Sequence, residues 1–294
     1  MALETDAGVA ELIALARRED LGAGDVSTSL IVDPGQMAVL RLIAKQRGVF
    51  AGREIALAVL QAYDESIELD WQAGGRDGAA IDRVPMELAM VRGPIGPILS
   101  AERVLLNFLQ RLCGAATLTS RYVQTIAGTG AAIYDTRKTL PGWRQLDKYA
   151  VRCGGGRNHR FGLYDAVLIK DNHVAGVEPR RLASAVFEML NRLSAGAHRS
   201  MWVEVEAATL PQVEELLKVV GIHAILLDNF QPADLRRAVE LRDDRGLLGK
   251  VDLEASGGIN LDNVRAIAET GVERISIGAI THSALGIDLS MERA

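Results

Sequence analysis

The chain reads as an α/β protein, with a mixed N-terminal unit followed by a parallel sheet. Three observations predict this. From about residue 131 onward, short apolar runs alternate with helical patterns: "AAIYDT", "AVLIKD", "MWVEVEA", "HAILLDN", "VDLEASGG" and "RISIGA". Those runs are almost continuously apolar, as expected of parallel strands covered on both faces. No glycine-rich dinucleotide loop follows the first run, which favours a barrel over an open, doubly wound sheet.

The elements follow in order. "AELIALARRED" has helical spacing, "MAVLRLIAKQRGVFAG" alternates like a strand entering a glycine turn, and "REIALAVLQAY" is helical again. "MELAMVRGPIGPIL" reads as a strand broken by Gly and Pro. Ser100 is a candidate N-cap for the long amphipathic stretch "SAERVLLNFLQRLCGAATLTSRYVQTIAG", which would form a hinge between domains. Between the later strands lie helical patterns such as "LPQVEELLKVV", "PADLRRAVELRDD" and "NVRAIAET".

Composition narrows the function classes. The 294 residues carry a net charge of −5, which argues against coating nucleic acid or anionic membrane by bulk charge. Two cysteines, Cys113 and Cys153, stand far apart and outside any metal-ligand spacing, so neither a disulfide framework nor a zinc site is expected. The early acids of "MALETDAGVAELIALARRED" do not read as a secretion signal, and no apolar run reaches membrane-spanning length. A soluble, cytoplasmic protein is expected.

Against that acidic background, residues 133–162 gather Arg137, Lys138, Arg144, Lys148, Arg152, Arg157, His159 and Arg160. In α/β barrels the loops after the strands converge on one mouth, so the strand ends are where chemistry should collect. They carry Asp135-Thr136-Arg137-Lys138, Lys170-Asp171-Asn172-His173, Glu204 and Glu206, Asp228-Asn229, Ser256-Gly257-Gly258 and Ser276-Ile277-Gly278. Polar strand ends arise simply from leaving a core, but here the pattern repeats at all six. Arg137, Lys138, Arg160 and Lys170 would meet a multiply anionic ligand. The Ser-Gly pairs after the last two strands suit a phosphate held on backbone N–H groups, although Gly-Gly alone also marks a turn. Glu206 and Asp228 face the same cations. They make sense if positive charge develops during reaction, or if sugar hydroxyls or Mg²⁺ are held. For Glu204, ion pairing with a neighbouring cation explains it as well. His173 and His282 read as loop pins, and no protein-ligand metal site is expected.

With those residues in place, "DTRKTLPGWRQLDKYAVRCGGGRNHRFGLYDAVLIKDNH" resembles the central signature of the quinolinate phosphoribosyltransferase family, the type II phosphoribosyltransferases. "LGAGDVSTSL", "GPILSAERVLLNFLQRLCGAATLT", "EVEA", "ILLDNF", "LEASGGINLDNV" and "TGVERISIGAITHS" resemble that family's other blocks in the same order, over nearly the whole chain.

The resemblance implies an N-terminal α/β sandwich domain over 1–113, an incomplete, open α/β barrel over 114–279, and a tail from about 280 to 294 packing back on the first domain. It implies a homodimer, with the possibility of a larger assembly, in which Arg103 of "AERVLLN" is lent across the interface. It assigns substrate binding to Arg103, Thr136, Arg137, Lys138, His159, Arg160, Lys170, Glu206, Asp228, Ser256, Gly257, Gly258, Ser276, Ile277 and Gly278, with Glu206, Asp228, Lys138 and Lys170 as catalytic residues. The implied reaction joins quinolinate to phosphoribosyl pyrophosphate with loss of CO2, giving nicotinate mononucleotide, with Mg²⁺ on the pyrophosphate. A dicarboxylate, a phosphate and a pyrophosphate in one mouth would account for the dense cations. Three rivals are set against it: a relative with an altered nucleobase or without decarboxylation, a Schiff-base aldolase using Lys138 or Lys170, and a docking site for an acidic protein or nucleic acid.

Overall fold

The computed structural model describes residues 7–195 and 201–294. Along the chain run α1 (Ala7–Leu21), α2 (Val26–Ile31), β1 (Met37–Ala44), β2 (Gly48–Val49), α3 (Arg53–Gln61), β3 (Glu68–Trp71), β4 (Ala80–Ile81), β5 (Met86–Pro94) and α4 (Ile95–Thr125). There follow β6 (Ala132–Tyr134), α5 (Arg144–Cys153), β7 (Val167–Ile169), α6 (Leu182–Ala195), β8 (Val203–Ala207), α7 (Leu210–Leu216), β9 (Ala224–Asp228) and α8 (Pro232–Asp243). The last elements are β10 (Asp252–Ser256), α9 (Val264–Ala268), β11 (Arg274–Ser276), α10 (Ala279–His282) and β12 (Leu289–Arg293). Two compact units result. One comprises 1–120, 138–156 and 280–294, the other 121–137 and 157–279. The stretch 138–156, placed with the barrel when the sequence is cut at residue 113, thus belongs to the first unit.

The first unit is built on a four-stranded antiparallel sheet in the order β12-β1-β5-β3, so the C-terminal strand returns as an edge beside β1. Its core is apolar, with Leu42, Phe50, Ile55, Leu60, Leu88 and Ile98 wholly or almost wholly buried. The helix α4 begins at Ile95, not at Ser100. Pro97 fits its first turn because a proline there forgoes an N–H that would have no intrahelical partner. Ser100 therefore lies inside the helix, and its hydroxyl donates to Asp25 Oδ2 at 2.9 Å. Asp25 is itself the N-cap of α2, accepting from the Thr28 amide at 2.9 Å.

The helix α5 was not foreseen, and it absorbs much of the basic run. Arg144, Lys148 and Arg152 sit on it, and Lys148 is buried. Its Tyr149 hydroxyl donates to Asp77, whose other oxygen accepts from the Gly52 and Arg53 amides at the start of α3. A side chain on Gly154, just beyond α5, would run into the Ala116 carbonyl and Thr119, so this glycine serves close packing. Burial pushes the Cys113 and Cys153 thiols up to about 12, as suits packed rather than reactive groups.

All six late strands are present, forming one parallel sheet in the order β6-β11-β10-β9-β8-β7. In chain order the strands run round from β7 to β11, and β6 then pairs with β11. The ring is open between β6 and β7. Arg157 lies along that free edge of β6, donating its amide to the Ile133 carbonyl at 2.8 Å and accepting from the Asp135 amide at 3.1 Å. The family-like expectation of an open α/β barrel matches this sheet. Alternation gives it two faces. One holds Val205, Ile225, Leu227, Leu253, Ala255 and Ile275, all buried. The other faces inward and carries the chemistry.

Candidate active site

Register fixes what shares the inner face. Asp228 pairs with Ser256, Ser256 with Ser276 and Ser276 with Tyr134, while Glu206 pairs with Leu226 on the neighbouring strand. Residues in register on parallel strands point to the same side, so Glu206, Asp228, Ser256 and Ser276 form one band near the carboxyl ends. Glu206 is partly buried, and that burial raises its pKa despite the Lys170 ammonium 3.8 Å away and the Asp171 amide. Lys170 is exposed, and its amide donates to His173 Nδ1 at 2.8 Å, the loop pin expected of that histidine.

The turns beyond these strands are interlocked. Asn229 takes a left-handed conformation (φ 58°) and donates its amide to the Ser256 carbonyl at 2.8 Å and its side chain to Asp228 Oδ2 at 2.9 Å. A side chain on Gly257 would occupy the space of the Asn229 carboxamide, and φ of 93° independently favours glycine there. Gly258 is also left-handed, its carbonyl held by the Asn263 side chain at 3.1 Å. The Ile277 amide is spent on the Tyr134 carbonyl at 2.9 Å, so β11 stays paired one residue past its end.

Level with Glu206 and just below Asp228 on this face lies a cluster of charged side chains. His159 Nε2 is 2.8 Å from Glu204 Oε2 and 3.4 Å from Glu254 Oε1, and both acids are fully buried. Arg274 Nε donates to Glu254 Oε2 at 2.7 Å, with its guanidinium 3.8 Å from the centre of the Tyr134 ring. Burial opposes ionisation of Glu254, but His159 and Arg274 outweigh it and hold its pKa down. Glu204 goes the other way: burial and the neighbouring Glu254 raise its pKa, and neither of its oxygens accepts a well-aligned hydrogen bond.

Two influences compete at the His159 ring. The acids raise its pKa to about 9, overcoming the opposing effect of burial, which would make it imidazolium at neutral pH. The Arg160 amide, however, donates to Nδ1 at 2.8 Å. An N–H on Nδ1 would point at that amide, so the hydrogen bond decides in favour of a neutral ring with its hydrogen on Nε2. Asp135, at the end of β6, accepts from the His159 amide at 2.9 Å and from the Asn158 side chain at 2.5 Å. Arg160 then reaches back to the Ala166 carbonyl at 3.2 Å. Burial, followed by the charge of Arg137, lowers its pKa. Two guanidinium groups pressing on each other in a partly buried loop favour an anion between or beside them.

Family models decide which known proteins this arrangement belongs with. "Quinolinate phosphoribosyl transferase, N-terminal domain" matches residues 25–113, and "Quinolinate phosphoribosyl transferase, C-terminal domain" matches 115–292. The chain belongs to the quinolinate phosphoribosyl transferase family. It is 40% identical to the nicotinate-nucleotide pyrophosphorylase (carboxylating) of Mycobacterium leprae, covering 96% of each chain. It is 36% identical to quinolinate phosphoribosyltransferase (decarboxylating) 1b of Nicotiana tabacum, over 96% of this chain and 81% of that one. The solved nicotinate-nucleotide pyrophosphorylase of Francisella tularensis superposes with a TM-score of 0.87 at 34% identity, covering 100% of this chain and 99% of that one.

Within this family member, the second unit brings together most of the anticipated site. Thr136, Arg137, His159, Arg160, Lys170, Glu206, Asp228, Ser256 to Gly258 and Ser276 to Gly278 all lie in it. Arg103, exposed on α4, and Lys138 fall in the first unit. There the Lys138 carbonyl accepts from the Thr281 hydroxyl at 2.8 Å. His159 differs from a simple substrate donor, since Nε2 faces buried acids and Nδ1 serves the backbone. Glu254 and Arg274 were missed. The signal was present in the period of two, which puts each of them on the face of Ser256 and Ser276.

Proposed function

We propose that the mouth of the parallel sheet carries out the family's reaction: transfer of the phosphoribosyl group from phosphoribosyl pyrophosphate to quinolinate, with loss of CO2, giving nicotinate mononucleotide and pyrophosphate. The observation that carries this reading is the pairing of a crowded cation loop, Arg137 with Arg160, with a carboxylate band, Glu206 with Asp228, on one barrel. Anions bind at the first and positive charge is stabilised at the second.

Arg137 and Arg160 hold the two carboxylates of quinolinate and orient its ring nitrogen toward the anomeric carbon, so that positioning replaces a bimolecular search. Thr136 adds a hydroxyl donor, and His159 supports Arg160. As the bond to pyrophosphate lengthens, the ribose gains oxocarbenium character, as in glycoside hydrolysis. Glu206 and Asp228 accept from the ribose hydroxyls and stabilise that charge. Lys138 and Lys170 neutralise the departing pyrophosphate. The Ser256-Gly257-Gly258 and Ser276-Ile277-Gly278 turns hold the 5-phosphate through the serine hydroxyls and backbone donors other than the Ile277 amide. The pyridinium then stabilises the electron pair left on the adjacent ring carbon as its carboxylate departs as CO2, and a proton from solvent takes its place.

Mg²⁺ suits this site because Glu206 and Asp228 are oxygen donors on one face, partly open to the mouth. Bound with the pyrophosphate, it would supply Lewis acidity to the leaving oxygens while Glu206 and Asp228 held it. Arg103 would complete the dicarboxylate pocket of a second copy, making the homodimer the working unit; its exposure on α4 supports this. No helix among the described residues is long and apolar enough to cross a membrane, and two buried free thiols support a reducing cytoplasm.

The test is release of labelled CO2 from the 2-carboxylate of quinolinate, omitting phosphoribosyl pyrophosphate and Mg²⁺ in turn. Release that needs every component, with nicotinate mononucleotide formed, is expected. No release from folded enzyme would bring forward a relative with another nucleobase.

A further inference from the structure

The inner layer of a barrel of this kind is ordinarily filled by branched apolar side chains. Here that layer holds two buried carboxyl groups, an arginine and a histidine. Burying ions is costly before pairing, so a charged interior needs a reason beyond filling space. Glu254 and Arg274 lie level with Glu206 in register and Glu204 two residues deeper, yet none of the four meets the substrate directly. Their contacts lead instead to one backbone atom.

The path is short. Arg274 fixes Glu254 at 2.7 Å, Glu254 and Glu204 meet His159 Nε2, and His159 Nδ1 accepts the Arg160 amide at 2.8 Å. Asp135 holds the other side of the same turn through the His159 amide and Asn158. The turn lies where the barrel is open, between β6 and β7, so no strand pairing of its own beyond Arg157 fixes its path. A buried histidine with both nitrogens engaged substitutes for the missing ladder.

We propose that Glu204 and Glu254 are positioning residues for the dicarboxylate pocket, setting the tautomer and orientation of His159 so that its Nδ1 fixes the backbone from which Arg160 reaches the substrate. This deepens the reading given under the proposed function and rests on it for the role of Arg160. The groups facing His159 are Glu204 from β8, Glu254 from β10 with Arg274 from β11 behind it, and Asp135 from the end of β6. A carboxamide of the same shape keeps an oxygen within reach of His159 Nε2, now 2.8 Å from Glu204 Oε2, whereas a methyl group does not.

Steady-state kinetics on the full-length enzyme test this with Glu204→Gln and Glu204→Ala. For Glu204→Gln, KM for quinolinate stays within about threefold of wild type, while Glu204→Ala raises it about tenfold or more, the scale of one lost polar contact to His159. KM for phosphoribosyl pyrophosphate moves little in either. Equal rises in both KM values, or an unchanged quinolinate KM in soluble, folded Glu204→Ala, would overturn the proposal. Should Glu204→Ala fail to fold, nitrogen NMR of the wild-type histidines decides: His159 should stay neutral with hydrogen on Nε2 between about pH 6 and pH 8, across the range where free histidine titrates. An imidazolium carrying both protons there would sink it. Wild-type enzyme that releases no CO2 would count against the reaction instead, and leaves the NMR result to judge the cluster.

Discussion

The two units solve the problem of an interior in opposite ways. In the first, the core is predominantly apolar, with Leu42, Phe50, Leu88 and Ile98 fully shielded, and its buried charges Asp147 and Lys148 sit together on α5. In the second, the parallel sheet divides its labour. Its outer face presents Val205, Ile225, Leu227, Leu253 and Ile275 to the helix layer, and its inner face presents Glu204, Glu206, Asp228, Glu254 and Arg274. Cohesion is thereby assigned to one face and chemistry to the other. A side chain on the inner face can change reactivity with little loss of stability, because the apolar contacts are made elsewhere.

The largest effect that follows is on turnover. Glu206→Ala or Asp228→Ala should lower kcat about a thousandfold, the scale for removing a preorganised stabiliser of transition-state charge. The melting temperature should not fall with it. An unfolded protein would show that the inner face also supports the fold. Next come paired truncations that compare the faces directly. Leu227→Ala, on the outer face, should cost about 2–5 kcal/mol in urea unfolding. Its neighbour Leu226 is also buried but shares the inner face with Glu206 and Glu254. Polar neighbours and the nearby mouth can admit water to the space left by Leu226→Ala, so its cost should be at the low end of that range. Equal costs would remove the distinction.

Most of this division was legible in the strands themselves. Near-continuous apolar runs gave six strands and their parallel pairing, and the residue after each run located the mouth. Register turned strand ends that were separate in sequence into the band of Glu206, Asp228, Ser256 and Ser276. Two things were hidden. Arg144, Lys148 and Arg152 counted as part of a ligand-binding run, because charge density along a chain carries no sign of the helix α5 that takes them into the first unit. Glu254 and Arg274 stood within runs scored as apolar, and only pairing shows that they meet each other and His159 across three segments distant in sequence. Ser100 misled for a local reason: it has the chemistry of a cap, but Pro97 allows the helix to start a turn earlier.

The smallest expected effect is also the most direct measure of what the inner face gives up for chemistry. Burial raises the pKa of Glu206 in the folded protein, only partly offset by Lys170. The native state then binds a proton at this site more tightly than the unfolded chain does. The resulting stabilisation is fully present below the unfolded pKa and is lost as pH rises through the folded one. At neutral pH the carboxylate is ionised and partly desolvated, and it slightly destabilises the fold. Glu206→Gln should therefore melt a little higher than wild type at pH 7, with the difference vanishing as pH falls below the ordinary carboxylate range. Its activity should fall, because a neutral amide cannot stabilise the sugar's developing charge. Thermal melts across pH check the first part and turnover the second. A variant that melted lower at pH 7 would mean that Lys170, at 3.8 Å, more than compensates the burial of this carboxylate.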